Sequence, residues 1–188
     1  NARAYYYTMV RLIDDQLHRL WATLDAQGLT DTTIVIVTSD HGELLGDHGL
    51  WMKGPFHYEP LARVPLLAMG PGIATGKSED AVVNLVDIAP VCLNAAGIPF
   101  EDAEMDGIDF TRETRGPDAT VLCETILDWQ GLICRSVIGS RYKMNWYAGA
   151  SFGELFDLEN DPGETRNLWS DGAHIAVRAA LLNELANH

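Results

Sequence analysis

Cysteine is scarce in this sequence, and its scarcity limits the kinds of site that the chain can hold. Only three of the 188 residues are cysteines, Cys92, Cys123 and Cys134, and none of them forms a CxxC pair. An odd number without paired spacing argues against a disulfide framework and against a zinc site. Each cysteine stands among apolar residues, so we predict buried, reduced thiols. Reduced thiols slightly favour the cytoplasm, while a periplasmic or secreted location stays open.

Basic residues are also few. The chain has 13 lysines and arginines against 27 aspartates and glutamates, which gives a formal net charge of −14. It has no basic stripe, and this argues against binding to nucleic acid or to an anionic membrane surface. A small anionic substrate would therefore have to be held by a local cation, because the overall charge would repel it.

Long hydrophobic runs are missing as well. No apolar segment is long enough to span a bilayer, and no secretory signal precedes the first helical pattern. The chain starts with Asn1 instead of methionine, and helical periodicity begins almost at once. We therefore expect the sequence to begin inside a longer protein.

The residues that are present predict an α/β fold in the first part of the chain. Apolar residues make up 47% of the sequence, which is ample for a core. They recur at helical spacing from Tyr6 to Leu24, and Gly28 is suited to end that helix. Residues 34–38 are an apolar, largely β-branched run without polar alternation, as expected for a strand buried on both faces of a mostly parallel sheet. A second strand is predicted from Val64 to Met69.

A change of pattern after residue 119 predicts a second part. A helix with Asp87 as its N-cap precedes the change. Short β-prone runs follow it without intervening helices, which indicates an antiparallel sheet. The predicted strands are 121–124, 132–138, 142–147 and 155–158, and the predicted closing helix is Ala173–Ala186. We therefore predict an α/β core piece with flanking helices at 1–119 and a small antiparallel subdomain with a closing helix at 120–188.

The most informative segment is the end of the first predicted strand. The apolar run stops at Asp40-His41-Gly42, and Lys53 follows twelve residues after His41. Ligands of parallel sheets bind beyond the carboxyl ends of the strands. A carboxylate and an imidazole there could ligate a metal, with the lysine holding an anion beside it. Taken alone, the residues are equally consistent with a polar strand end, an exposed histidine and a solvated lysine.

Three longer stretches carry a family resemblance. TSDHGELLGDHGLWMKG, at 38–54, closely resembles the C-terminal metal motif of the sulfatases, within the alkaline phosphatase superfamily. FHYEPLARVPLLAMGPG continues the likeness, and ELFDLENDPGETRNL, at 154–168, resembles the closing hairpin of that family. The order and separation of these stretches also agree. The chain is therefore similar to the C-terminal portion of a sulfatase.

The resemblance implies a set of site residues. It implies that Asp40 and His41 supply two ligands to a divalent cation, which we expect to be Ca²⁺, with Mn²⁺ as the alternative because imidazole suits it better. It implies that Lys53 is a catalytic cation on the oxygens of a sulfate or phosphate group. His57 either lines the substrate pocket or lies on an exposed loop.

Nearby polar residues are expected to have structural roles. Asp47 and His48 repeat the Asp-His pair, but the sulfatase pattern gives them no ligand role. Glu43 is expected to be a capping or supporting residue. We expect Arg63 to form a structural ion pair.

The activity implied by the resemblance depends on a group that the sequence lacks. Sulfatases use a formylglycine made within a Cys/Ser-x-Pro-x-Arg segment, and this chain has no such segment. We therefore expect a sulfuric ester hydrolase whose nucleophile lies in a missing N-terminal part, and we expect the chain alone to be inactive. A phosphonate monoester or phosphodiester hydrolase of the same superfamily is the alternative, and a non-catalytic sulfatase-like domain is another.

The expected partners follow from this interpretation. They are a small sulfate, phosphate or phosphonate ester and the missing N-terminal part of the same protein. An exposed apolar sheet edge would also favour homo-oligomers.

Overall fold

The structure, a computed structural model, describes residues 2–101, 105–127 and 131–187. Its strands form two sheets, a two-stranded sheet early in the chain and a four-stranded sheet later. Helices precede and follow both of them along the chain. The predicted combination of a mixed α/β part, an antiparallel sheet and a C-terminal helix is confirmed.

A long helix, α1 (Ala2–Ala26), begins the described chain, as predicted. Gly28 follows it with φ +67°, the left-handed conformation that commonly ends helices and favours glycine. No residue of α1 is buried, and apolar side chains such as Ile13 remain exposed. The periodicity therefore predicted the helix, although the residues that the structure describes do not cover its apolar face. No helix in these residues is both long and apolar enough to cross a membrane.

The first sheet differs from the prediction. Its strands, β1 (Val35–Thr38) and β2 (Leu66–Met69), are antiparallel, with Thr38 opposite Leu66. The expected mostly parallel sheet is therefore not found within the described ranges, where both sheets contain only antiparallel pairs. An unbroken apolar run indicates burial of a strand but does not determine the direction of its neighbour. The connection determines it, and here it leaves β1 and enters β2 at the same end of the pair.

The connection between β1 and β2 carries the predicted site residues. It contains a 3₁₀ turn at Asp47–Gly49 and a four-residue helix, α2 (Glu59–Ala62). The remainder has no regular structure, so side-chain hydrogen bonds and close backbone contacts hold its course.

The next helix, α3 (Ile88–Ala95), follows a 3₁₀ turn that Asn84 caps. Asp87 occupies the N-cap position of this helix, as predicted, but its side chain makes no capping hydrogen bond to the helix. Its buried carboxylate instead accepts hydrogen bonds from Ile108 N–H at 2.9 Å and from Arg115. Burial alone would raise the pKa of Asp87, but these hydrogen bonds outweigh it and hold that pKa below its ordinary value. Asp87 therefore joins α3 to the chain around residue 108.

The second part folds as its sequence pattern predicts. Four antiparallel strands lie in sequence order: β3 (Thr120–Leu127), β4 (Leu132–Gly139), β5 (Tyr142–Tyr147) and β6 (Gly153–Asp157). The last helix, α4 (Ile175–Ala186), covers this sheet. The shared core consists of Val137, Met144, Leu155, Leu168, Leu181 and Leu185.

All three cysteines are free, as predicted. Cys134 is buried and Cys123 is half-buried, but Cys92 is exposed, so the prediction that it is buried is wrong. An apolar neighbourhood in the sequence does not show which face of a helix a side chain occupies. Burial raises the pKa of the Cys134 thiol to about 12, so this residue is an unreactive core thiol.

Candidate active site

The polar residues that follow β1 form the centre of the candidate site. The side chain of Asp40 is 84% exposed. Its Oδ1 accepts hydrogen bonds from the backbone N–H of His41 at 2.9 Å and from the Ser39 hydroxyl at 3.3 Å. The bond from the His41 N–H is the main cause that holds the pKa of Asp40 below its usual value. Asp40 is therefore an oriented, ionised carboxylate at neutral pH.

A backbone carbonyl orients the ring of His41. Nδ1 lies 2.8 Å from the carbonyl oxygen of Gly42, and a carbonyl can only accept, so Nδ1 carries the hydrogen. In the neutral ring Nε2 then carries the lone pair, and this atom lies 3.6 Å from Oδ2 of Asp40. Histidines that ligate metals commonly have this second hydrogen bond to a carbonyl.

Lys53 completes the cluster. Its Nζ lies 3.1 Å from Nε2 of His41. The structure therefore brings together the three residues that the motif singles out, Asp40, His41 and Lys53. A carboxylate, an imidazole lone pair and an ammonium group all face one small region of the surface.

The loop that presents Lys53 is held by a carboxylate on its inner side. Oε1 of Glu43 accepts hydrogen bonds from the backbone N–H groups of Leu45 and Met52. Met52 has φ +65°, which is uncommon for a residue with a side chain. The neighbouring Leu44 is buried and anchors the loop to the fold. The expected capping role of Glu43 is confirmed.

Gly42 allows the motif to lie directly on α2. A Cβ atom at this position would stand 2.0 Å from the carbonyl oxygen of Pro60. Backbone hydrogen bonds from Gly42 N–H to Leu61 O and from Glu43 N–H to Pro60 O close the contact. Only glycine fits at position 42 without movement of the backbone.

His57 belongs to different surroundings. It lines the same cavity as Lys53, a space of about 1970 Å³, but its ring hydrogen bonds point into the protein. The residue is 3% exposed, so it does not lie on an exposed loop. Nδ1 lies 2.6 Å from the hydroxyl of Ser136, and Nε2 lies 2.8 Å from the hydroxyl of Thr125. Burial lowers the pKa of His57 to about 4, with a further contribution from the positive charge of Lys143.

The other polar residues of the motif have structural contacts. Asp47 forms an ion pair with Arg3 on α1 at 3.3 Å. The ring of His48 stacks on Tyr58 with 3.8 Å between the ring centroids. Arg63 forms the predicted ion pair with a neighbouring carboxylate, Glu59, at 3.6 Å.

Sequence reasoning missed the buried polar residues around His57. Ser136 and Asn145 are fully buried and lie opposite each other on β4 and β5. Their hydrogen bond, from the serine hydroxyl to Oδ1 of Asn145, is 2.7 Å long. The available signal is the presence of a small polar residue in each of two mostly apolar strands.

Asp40 and His41 fit a divalent cation as two of its ligands. Carboxylate oxygen suits Ca²⁺, and a mixed oxygen and nitrogen set suits Mn²⁺. In the part of the chain that the structure describes, no three or more histidine, cysteine, aspartate or glutamate side chains are grouped to hold a metal. Additional ligands would have to come from elsewhere.

A comparison with known protein families shows which family the chain belongs to. Residues 1–98, more than half of it, match the sulfatase family model. The chain belongs to the sulfatase family. The matched residues include the complete motif at 38–54, so the likeness seen in the sequence is confirmed.

The sulfatase chain is shorter than its curated relatives. It is 34% identical over 171 residues to the choline-sulfatase of Rhizobium meliloti (strain 1021), an alignment that covers 89% of this chain and 33% of the relative. The chain therefore spans about a third of that protein's length.

Solved structures of similar proteins agree with this relationship. One is a protein in complex with its substrate D-glucosamine-2-N,6-O-disulfate, with a TM-score of 0.85, 25% identity and coverage of 95% of this chain and 38% of the other. Another is a phosphonate monoester hydrolase from Silicibacter pomeroyi, with a TM-score of 0.79, 27% identity and coverage of 94% and 38%. The sulfatase chain thus has a fold that is also found within these two longer proteins.

Proposed function

We propose that this chain is the C-terminal portion of a metal-dependent sulfatase that hydrolyses sulfate esters. Asp40 and His41 would hold the divalent cation, with Ca²⁺ as the first choice and Mn²⁺ as the alternative. Lys53 would bind the oxygens of the sulfate group. The observation that best supports the proposal is the convergence of these side chains, at 3.6 Å from Asp40 to His41 and 3.1 Å from His41 to Lys53. The nucleophile, a formylglycine, would lie outside this chain, so the chain alone should be inactive.

Each residue of the cluster has its own chemical task in this proposal. When bound, the cation would supply positive charge beside the sulfate oxygens. Asp40 is ionised and oriented, and His41 keeps a lone pair on Nε2 because Nδ1 is committed to the carbonyl of Gly42. The Lys53 ammonium, which lies 3.1 Å from that lone pair, would leave it to the cation. Lys53 donates hydrogen bonds to an oxygen that gains negative charge as the ester bond breaks. Its ammonium group thereby stabilises the transition state more than the bound substrate.

The exposed apolar residues of α1 support the idea that more of the same polypeptide packs here. Tyr5, Leu12, Ile13 and Leu20 are each more than half exposed. An apolar surface of this kind on one long helix is usually covered in a complete protein. We infer that an N-terminal part of the same polypeptide covers it, and a second copy of the chain is the other candidate.

A phosphonate monoester or phosphodiester hydrolase is the second candidate function. The likeness to the phosphonate monoester hydrolase from Silicibacter pomeroyi favours it. Rates on 4-nitrophenyl sulfate and on a phenyl phosphonate ester, measured with the natural full-length protein, would separate the two. A higher kcat/KM for the sulfate ester is the result that we expect.

Replacing Lys53 by alanine in the natural full-length protein should lower kcat/KM for 4-nitrophenyl sulfate about 100-fold. The loss should fall mainly on kcat, because the ammonium group acts on charge that develops in the transition state. Steady-state kinetics would measure both constants.

Arg166→Ala is the matched control for Lys53→Ala. Arg166 is an exposed cation on the closing hairpin and does not line the cavity. Its replacement should change kcat/KM less than about twofold, as expected of a surface substitution. An equal loss in both variants would contradict the assignment of Lys53. Inactivity of the unmodified protein on sulfate, phosphate and phosphonate esters would overturn the proposed function itself.

Binding of Ca²⁺ and Mn²⁺ to the chain itself should be weak, with a Kd of about 1 mM, because it provides only two ligands. Asp40→Asn and His41→Ala should each weaken binding at least about tenfold. Titration calorimetry would measure the affinities. Asp47→Asn, in the second Asp-His pair, is the control and should leave the affinity unchanged. The same effect in the control as in the two test variants would show that binding is non-specific.

A further inference from the structure

The structure gives His57 a task that depends on the proposed function. We propose that His57 is a positioning residue, which clamps the loop that carries Lys53 onto strands β3 and β4. It would act on the reaction through Lys53 and not through contact with the substrate. The two ring nitrogens are each within hydrogen-bond distance of a hydroxyl, so neither is left for a ligand.

A chain of hydrogen bonds determines which ring nitrogen of His57 donates and which one accepts. It starts at Glu154, an acceptor, whose Oε2 receives a hydrogen bond from Nδ2 of Asn145 at 3.0 Å. The amide of Asn145 is thereby oriented with Oδ1 toward Ser136, and Oδ1 accepts the single hydroxyl hydrogen of Ser136. Ser136 must then accept from His57, so Nδ1 carries the ring hydrogen. Nε2 is left to accept from the hydroxyl of Thr125.

The clamp needs a neutral imidazole, and the surroundings keep it neutral. The ring is almost completely buried, and Lys143 contributes positive charge nearby. Both effects oppose a second ring hydrogen and hold the pKa of His57 well below neutral. At neutral pH the ring therefore has one donor and one acceptor, which are the two functions that the hydroxyl groups require.

Lys53 lies between this clamp and a second fixed point. On its N-terminal side, the backbone N–H of Met52 is bound by Glu43. On its C-terminal side, Gly54-Pro55 leads to His57, and proline restricts the backbone of both residues. With both ends of the six-residue segment 52–57 held, the ammonium group has few alternative positions. Release of the His57 end would allow the lysine to move away from the oxyanion, and small displacements of catalytic groups cost rate.

A double-mutant cycle in the natural full-length protein tests the proposal. His57→Ala should lower kcat for 4-nitrophenyl sulfate about tenfold, with a smaller change in KM. In the Lys53→Ala background the same substitution should lower kcat less than about twofold, because the group that it positions is gone. All rates are taken per folded enzyme, measured by circular dichroism. A purely structural role would give the same factor in both backgrounds, and that result would overturn the proposal.

Thr125→Val provides a milder second variant in case His57→Ala does not fold. It keeps the side-chain shape and removes one hydroxyl from the clamp. We expect a loss of about threefold in kcat, again absent in the Lys53→Ala background. Thr165→Val is the matched control, because this exposed hydroxyl donates to Oδ1 of Asp161 and the residue does not line the cavity. It should change kcat less than about twofold in either background.

The hydrogen-bond order can be checked without an assay. Nitrogen-15 NMR of the chain at pH 7 should show His57 as the tautomer with hydrogen on Nδ1. The opposite tautomer would overturn the order of hydrogen bonds that the proposal requires. An unmodified protein without hydrolase activity would instead refute the proposed function, so the two failures can be told apart.

Discussion

Lys143→Met should lower the free energy of unfolding by about 4 kcal/mol, because it leaves the buried Glu164 without its counter-charge and Glu59 with only the exposed Arg63. Lys143 is fully buried, and its Nζ donates to Glu59 at 2.5 Å and to Glu164 at 2.9 Å. The side chain of Glu164 is 1% exposed. Burial raises the pKa of Glu164 above its ordinary value, although the ammonium group opposes this shift. Chemical unfolding of the protein, followed by circular dichroism, would measure the loss.

Two further variants test whether the loss comes from the buried charges and not from the lysine-to-methionine change itself. Lys77→Met makes the same change at an exposed lysine and should alter the free energy of unfolding by less than about 0.5 kcal/mol. The double variant Lys143→Met/Glu164→Gln removes the buried charge of Glu164 as well, so it should recover about 1–2 kcal/mol of the loss. A Lys143→Met protein as stable as the unmodified one would show that this ion-pair network contributes nothing to the fold.

Local patterns in the sequence predict the elements of this fold better than their arrangement. The spacing of apolar residues predicts α1, and the short β-prone runs predict the four strands of the second sheet. Both features depend on neighbours within one helix or one strand. The antiparallel pairing of β1 with β2 depends on the path of the chain between Thr38 and Leu66. The spacing of apolar residues does not predict that path. Likewise, the exposure of the apolar face of α1 depends on what packs against it.

In the candidate site, too, residues within one local motif could be predicted from the sequence, whereas contacts between distant residues could not. Asp40, His41 and Lys53 could be predicted because they lie within one short motif that a whole family shares. The sequence places His57 near the motif but does not predict its surroundings. Its two hydroxyl partners lie 68 and 79 residues later in the sequence, and strand pairing alone brings them together. A single sequence has no local signal for a contact of that separation.

The pH dependence of stability should show the buried imidazole of His57. Its pKa is about 4 in the folded protein, against 6.5 as its ordinary value. Since folding favours the neutral ring, its contribution is complete above pH 6.5, declines as the pH falls from 6.5 to 4, and changes no further below 4. The loss between pH 7 and pH 4 should be about 3 kcal/mol. Carboxylates with lowered pKa values, such as Asp157, add acid sensitivity of their own as the pH falls further.

Comparison with His57→Asn isolates the imidazole from those carboxylates. Asparagine keeps a polar group at the site but does not titrate in this range, so the variant should lose about 3 kcal/mol less than the unmodified protein between pH 7 and pH 4. Urea unfolding at both pH values would measure the difference. His18→Asn, at an exposed position on α1, is the matched control and should retain the full pH dependence. If His57→Asn and the unmodified protein lose the same stability, the ring is not held neutral by the fold, and the clamp on the Lys53 loop loses its basis.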